Sequence, residues 1–437
     1  MRALDADGRV DFIPVDPYTH AVYPELMLPM PQGEKRFVEA LSEAFPMESG
    51  IGPFVRTCVK LAEESSVADD LMATESPGVL RERLSTLFRY RRATLSGVFD
   101  EFIEDPRLKG VLATLWPYLG LPPSKVSFLY WSTMFAGYTA DGAYYCRGTF
   151  QNLAEALARG LEGCGGEILY KAGVRRIETR NHAVCGAVLD HGQRIKAPVV
   201  ISNADPFQTT ELLVGEENFP EAYRDVIKRG SVSLPAFVVY IATDLDLAGI
   251  GAAHESFYYA DFDHEGNYLR TRNGEVTWFS ATIPSLVDHT LAPAGEHVML
   301  LTTLMPFGVG ESWRTAKARY LESILTLAER HFPGLGDHLL LVEAGSPRTL
   351  ERYTLNRLGA AYGWDVTPEQ VGPNRLPNKS PLSGLFFAGH WSSAGGRSLR
   401  GRRVRRTGRP SGAGGETVGG RVGRLISRKI VRQVGSV

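Results

Sequence analysis

The chain has 437 residues, 43% of them apolar, and a formal net charge of −1 at pH 7. Its length exceeds what a single core usually supports, so a globular protein of two packed units is expected. The near-neutral total conceals an acidic body, −12 over residues 1–396, and a basic tail, +11 over residues 397–437. Four cysteines (Cys58, Cys146, Cys164 and Cys185) show neither CxxC spacing nor the density of a disulfide scaffold. That argues for a reducing compartment and against a structural metal, and no metal site is expected. The opening "MRALDADGRVDF" has no apolar signal core, and no run reaches 18 apolar residues, so a cytoplasmic location without a membrane span is expected.

Residues 1–30 hold short apolar pieces broken by proline, which predict strands and turns. From residue 34 to about 114 the spacing turns helical, as in "RFVEALSEAF" and "LRERLSTLFRY". The aromatic-rich segment Leu115 to Tyr138 reads either as a buried helical layer or as a tunnel wall or membrane-dipping surface. In "RGTFQNLAEALARGLEGCGG", Leu153, Leu157 and Leu161 share one helical face, and glycines stop the helix. "EILYKAGVRRIET", "AVCGAVLD" and "RIKAPVVISNADP" then predict three strands, the last buried on both faces through its apolar "PVVIS". Residues 207–345 alternate strands ("AFVVYIAT", "SFYYADF", "VTWFSATI", "HVMLLTTLM") with the helix "ESWRTAKARYLESILTLAERHF", an α+β pattern with its own ligand face. "GLFFAGH" is again a buried strand ending in glycine.

In open α/β sheets ligands lie beyond the carboxyl ends of strands, where glycine lets the backbone approach them. Two such ends stand out: Ser202, Asn203, Ala204 and Asp205 in "VVISNADP", and Gly389, His390, Trp391, Ser392, Ser393, Gly395 and Gly396 in "FFAGHWSSAGG". With "YYCRGTFQNL" before a helix, the combination resembles the phytoene desaturase and carotenoid isomerase family of FAD-dependent oxidoreductases, which also includes retinol saturases. The likeness runs over about residues 10–396.

Three departures stand beside it. The chain contains no GxGxxG, the nearest strings "GIGAAH" and "GVGESW" ending in His254 and Trp313, so the family's amino-terminal βαβ unit is expected to be missing. Cys146 and Thr149 stand where the family's loop has Pro and Gly. After Gly396 the family would continue with a Gly-Val-Pro-Gly turn and an apolar helix, whereas here an arginine- and glycine-rich tail begins. A frameshift at or just before Arg397 accounts for that tail; the alternative is a basic segment that binds polyanions.

The resemblance implies an α/β fold: an incomplete FAD-binding Rossmann-like domain plus an α+β substrate domain with a helical layer. The expected segments are substrate-domain strands and helices over 1–140, flavin-domain pieces over 141–206 and 346–396, the α+β unit over 207–345 and the tail over 397–437. It implies FAD as cofactor and a long apolar polyene, carotenoid or retinoid, as substrate, acted on by desaturation, saturation or isomerisation. The alternative is a non-catalytic remnant, or half of a split flavoenzyme. Val174, Ser202, Asn203, Gly389, His390, Gly395 and Gly396 are the expected cofactor contacts. His390 reads either as a donor to a ribityl or phosphate oxygen or as a satisfied turn histidine. Arg147 and Tyr145 are the candidates beside the flavin or the polyene end, against the plainer reading of a surface cation and a packed ring. Peripheral membrane contact stays open, no nucleic-acid partner is expected, and the chain alone is expected to bind FAD weakly or not at all.

Overall fold

The computed structural model describes residues 10–393. Three short strands open it: β1 (Phe12–Val15), β2 (Thr19–Tyr23) and β3 (Leu26–Met30). A helical layer follows, with α1 (Glu34–Ala44), α2 (Ile51–Thr74), α3 (Pro77–Arg83), α4 (Ser85–Tyr90), α5 (Leu95–Phe102), α6 (Pro106–Leu112) and α7 (Phe128–Ala136). Local chemistry sets several of these starts: Asp105 accepts from the Arg107 and Leu108 amides ahead of Pro106, and Thr94 accepts from Gly97. The layer packs on itself through Phe54, whose ring lies 5.2 Å from Phe99 and 6.1 Å from Phe128. Trp116, Phe128, Trp131 and Phe135 are buried, so much of the aromatic segment is core, with Tyr118, Leu129, Tyr130 and Tyr138 partly buried against it.

Next come β4 (Ala143–Cys146), α8 (Phe150–Gly163), β5 (Val174–Arg180), β6 (Ala183–Leu189), β7 (Arg194–Lys196) and β8 (Val200–Ser202). The expected third strand is thus two, with Ala197–Val199 between them: β7 joins β5 and β6 in an antiparallel sheet, and β8 pairs in parallel elsewhere. Burial of "PVVIS" on both faces is not found. Val199 and Ile201 are 50% and 48% exposed, because no element among the described residues covers that face.

The remainder is α9 (Glu221–Arg229), β9 (Ala236–Thr243), β10 (Glu255–Tyr259), α10 (His264–Arg272), β11 (Trp278–Thr282), β12 (His297–Leu304), α11 (Trp313–Glu329), β13 (Leu339–Gly345), α12 (Pro347–Thr354) and β14 (Leu385–Phe387). Seven strands form one mixed sheet in the order β13-β9-β12-β11-β10-β2-β3, parallel only at β10–β2. The sheet therefore draws strands from 1–140 as well as from 207–345. One face meets α11, where Phe237, Val239 and Ile241 pack with Ala316, Tyr320 and Ile324. The other meets the helical layer through Tyr23, Phe257 and Tyr259. Lying between the two, β10 is buried throughout, and its residues alternate: Ser256 and Tyr258 point one way, Glu255, Phe257 and Tyr259 the other. The Tyr259 hydroxyl donates to the Thr114 carbonyl at 2.6 Å, tying sheet to layer.

Candidate functional site at the ends of β8 and β14

The parallel pair β8–β14, in register Leu385 to Val200 through Phe387 to Ser202, brings the two sequence-predicted turns together. Beyond β8, the Ser202 hydroxyl is 2.8 Å from Thr209 Oγ1 and accepts from the Ala204 amide. Asp205, 1% exposed, accepts from the Phe207 amide at 2.7 Å and the Arg357 amide at 2.5 Å. Burial raises its pKa, while those amides and the Arg357 cation favour the carboxylate. A cleft of about 340 Å³ lies alongside, bounded by Asp205, Phe207 and Arg357.

Beyond β14, Gly389 has φ +90° and lies against Asn203, where a Cβ would come 2.0 Å from Oδ1. Only glycine fits a backbone so placed. The following loop is held by Arg375, 5% exposed, whose Nε donates to the Ser392 carbonyl and Nη2 to the His390 carbonyl. Among the described residues no carboxylate neutralises it; its guanidinium faces the Tyr130 ring of α7 at 5.8 Å. Arg375 Nη1 and His390 Nε2 are buried without a hydrogen-bond partner among the described residues. Burial, and then the nearby Arg375 charge, keeps the His390 imidazole neutral-leaning by lowering its pKa.

A strap over residues 359–366 joins this turn to the rest of the molecule. Gly363, φ +74°, passes so close to His390 that a Cβ would lie 2.5 Å from Cδ2. Trp364 Nε1 donates to the Trp391 carbonyl, and their rings meet edge-on at 5.1 Å. The Val366 carbonyl receives the Ser127 amide at the start of α7. The turn beyond β14 thus abuts the helical layer.

The other predicted residues fall elsewhere or outside. Val174 starts β5 opposite Leu189. Arg147 pairs with Asp11 at 2.7 Å on the surface, and Tyr145 packs edge-on against Phe150 and His254, so their partners lie around the β1–β4 pair and not at the turns. Gly395, Gly396, the expected frameshift and the tail lie outside the described residues. Thr149, where the family loop has glycine, has φ +96°. Sequence reasoning missed Arg375, one of two cations in "GPNRLPNKS" with nothing to set it apart from a solvated loop residue. It also passed over Trp364 and Glu255, the latter a single acid directly before the apolar run of "SFYYADF".

The family description "Flavin containing amine oxidoreductase" matches residues 2–409. The chain belongs to that family. FAD, expected from the resemblance, is accordingly the cofactor of this flavin containing family. Over 417 residues the chain is 26% identical to the chloroplastic prolycopene isomerase of Daucus carota, covering 89% of this chain and 65% of the relative. It is 25% identical over 401 residues to the all-trans-retinol 13,14-reductase of Danio rerio, covering 82% and 65%. The chain thus spans about two thirds of the length of these curated relatives. A solved structure of wild-type putrescine oxidase bound to putrescine shares the fold, with TM-score 0.56, 13% identity, and coverage of 91% of this chain and 82% of that one. Among the described residues no helix is long and apolar enough to cross a membrane, and no cluster of His, Cys, Asp or Glu could hold a metal ion.

The turn suits a flavin's polar edge. Two buried polar atoms without partners among the described residues, the donor Arg375 Nη1 and the ring nitrogen His390 Nε2, lie beside the Gly389 turn.

Proposed function

We propose that the protein is an FAD-dependent oxidoreductase of long apolar polyenes, of the carotenoid or retinoid type, acting by isomerisation, saturation or desaturation. The observation that carries this reading is the match over more than four fifths of the chain to two differently named relatives whose printed substrates, prolycopene and retinol, are both polyenes. Arg375 and His390 would hold polar oxygens of the flavin, with Gly389 and Asn203 forming the backbone wall and Ser202 bracing the β8 turn. Bound there, the flavin supplies hydride transfer to or from carbon. The chain's part is to orient the polyene and exclude water. Asp205 fixes the β8 turn relative to residue 357 and touches no reacting atom in this scheme.

Incubation of the full chain and excess FAD with prolycopene or all-trans-retinol, under reducing and oxidising conditions, tests the reading by chromatography of the polyene. A changed double-bond count or geometry that depends on flavin is the expected result. Unchanged polyenes together with oxidation of an amine such as putrescine would overturn it.

A further inference from the structure

Arg375 is buried, and among the described residues no carboxylate stands beside it. Burial lowers its pKa, and the charge interaction that opposes this is with the Tyr130 phenol. Tyr130 is itself raised by burial, keeps its proton at neutral pH and so supplies no counter-charge. A guanidinium nevertheless stays charged at any working pH. A cation held out of water without an opposite charge is costly unless a ligand compensates it.

The bonds that Arg375 makes narrow the kind of ligand. Nε donates to the Ser392 carbonyl at 3.2 Å and Nη2 donates to the His390 carbonyl, so Nη1 is the nitrogen left without a partner among the described residues. The two-pronged fork that grips a phosphate or a carboxylate is thus largely spent on backbone. What it offers a ligand is chiefly a positive charge fixed in place.

The loop that carries this charge is braced from both sides. Asn378 Nδ2 donates to the Phe387 carbonyl at 2.9 Å and to Ser392 Oγ at 3.0 Å, and its Oδ1 accepts from Ser393 Oγ at 2.8 Å. Trp391 Nε1 donates to Asn356 Oδ1 at 3.2 Å. A buried charge held this firmly needs no rearrangement when an opposite charge appears nearby, and the low dielectric strengthens its pull. Its field already reaches the turn, where it is the second cause, after burial, of the lowered His390 pKa.

We propose that Arg375 is the counter-charge for the reduced ring of the flavin, and that it thereby sets the redox preference of the site rather than only holding a polar oxygen. The inference rests on the flavin part of the reading above. Two electrons and one proton added to a neutral isoalloxazine leave it with one negative charge, whatever the donor, while the pyrophosphate carries the same charge before and after. An Arg375 that served the phosphates would favour both redox states alike. One that serves the ring favours the reduced state, and a single fixed cation matches a single added charge.

Equilibrium dialysis of the full chain at neutral pH against riboflavin, oxidised in one arm and held reduced by dithionite under nitrogen in the other, gives a dissociation constant for each state. Riboflavin has no phosphate, so a difference between the arms reports the ring. Binding of the reduced form at least tenfold tighter is expected, equivalent to a potential about 30 mV above that of free riboflavin. Equal or weaker binding of the reduced form overturns the proposal without recourse to any variant. Arg375→Met should abolish most of the preference, and Arg375→Lys, which keeps the charge and loses the fork, should retain it. Losses that are the same in both variants, or the same for both redox states in Arg375→Met, would assign the effect to the hydrogen bonds of the loop and also overturn it. A chain that binds neither riboflavin nor FAD in either state overturns the proposal together with the flavin reading of this turn. Flavin bound with the expected preference, but no polyene converted, sinks the polyene reading and leaves the counter-charge standing.

Discussion

Thr149 shows how a single side chain can sit against its backbone. At φ +96° it adopts a conformation that L residues avoid, yet its hydroxyl caps α8 by accepting from the Gln151 amide. Glycine removes the strain and loses only a few tenths of a kcal/mol as a cap. Thr149→Gly is therefore expected to stabilise the chain by about 1 kcal/mol in urea unfolding; a destabilised variant would show that the capping bond dominates. Glu255 gives a pH dependence of definite sign. Its carboxyl rises from 4.5 in the unfolded chain to about 7 in the fold, so the unfolded state ionises first as pH increases. The associated stability is whole below the unfolded value and is lost by the time pH passes 7, about 3 kcal/mol at most. Asp365, pushed up to about 6 by burial, adds a loss of the same sign at lower pH. Stability measured against pH should fall across this window in the wild type and fall less in Glu255→Gln.

At the scale of elements, periodicity located most helices and strands because their apolar spacing is strong, as in α8 and β9. The polar helix α10 carries too few apolar residues for its spacing to show, whereas α9 does place Tyr223, Val226 and Ile227 at helical spacing but over nine residues only, and β13 was hidden because "LLLVEAG" follows directly on a turn. The misreading of "PVVIS" has a different cause. An apolar run reports that a strand can be buried, not whether anything covers it, and here β8 has one neighbour and one open face. The two strands of that pair should consequently respond differently to substitution. Leu385, fully buried in the cluster with Phe207 and Trp364, should cost about 2–5 kcal/mol as Leu385→Ala. Ile201→Ser, on the open face, should change stability by no more than about 0.5 kcal/mol. Equal losses in chemical denaturation would mean that the Ile201 face is covered in solution.

For the molecule as a whole, the turns were legible because motif residues such as Ser202, Asp205, Gly389 and His390 lie close in sequence. The long-range partners that complete the site were not: Arg375 reaches the turn from 15 residues before His390, and Tyr130 from a different layer. These groups can satisfy neutral or singly charged oxygens of a flavin. A pyrophosphate ordinarily needs several backbone amides at a helix start behind a glycine-rich turn, and the 437-residue sequence contains no GxGxxG. On that ground the two turns, as far as the described residues go, are expected to favour one end of FAD over its doubly charged middle. Purified chain passed through gel filtration without added cofactor is expected to lose its visible flavin band and to regain it in excess FAD, with Arg375→Met weakening the recovered binding at least tenfold, about 1.4 kcal/mol. Retention of stoichiometric flavin through the column would show instead that the β8 and β14 turns hold the cofactor unaided, and that the Arg375 and His390 side chains carry more of its affinity than charge alone suggests.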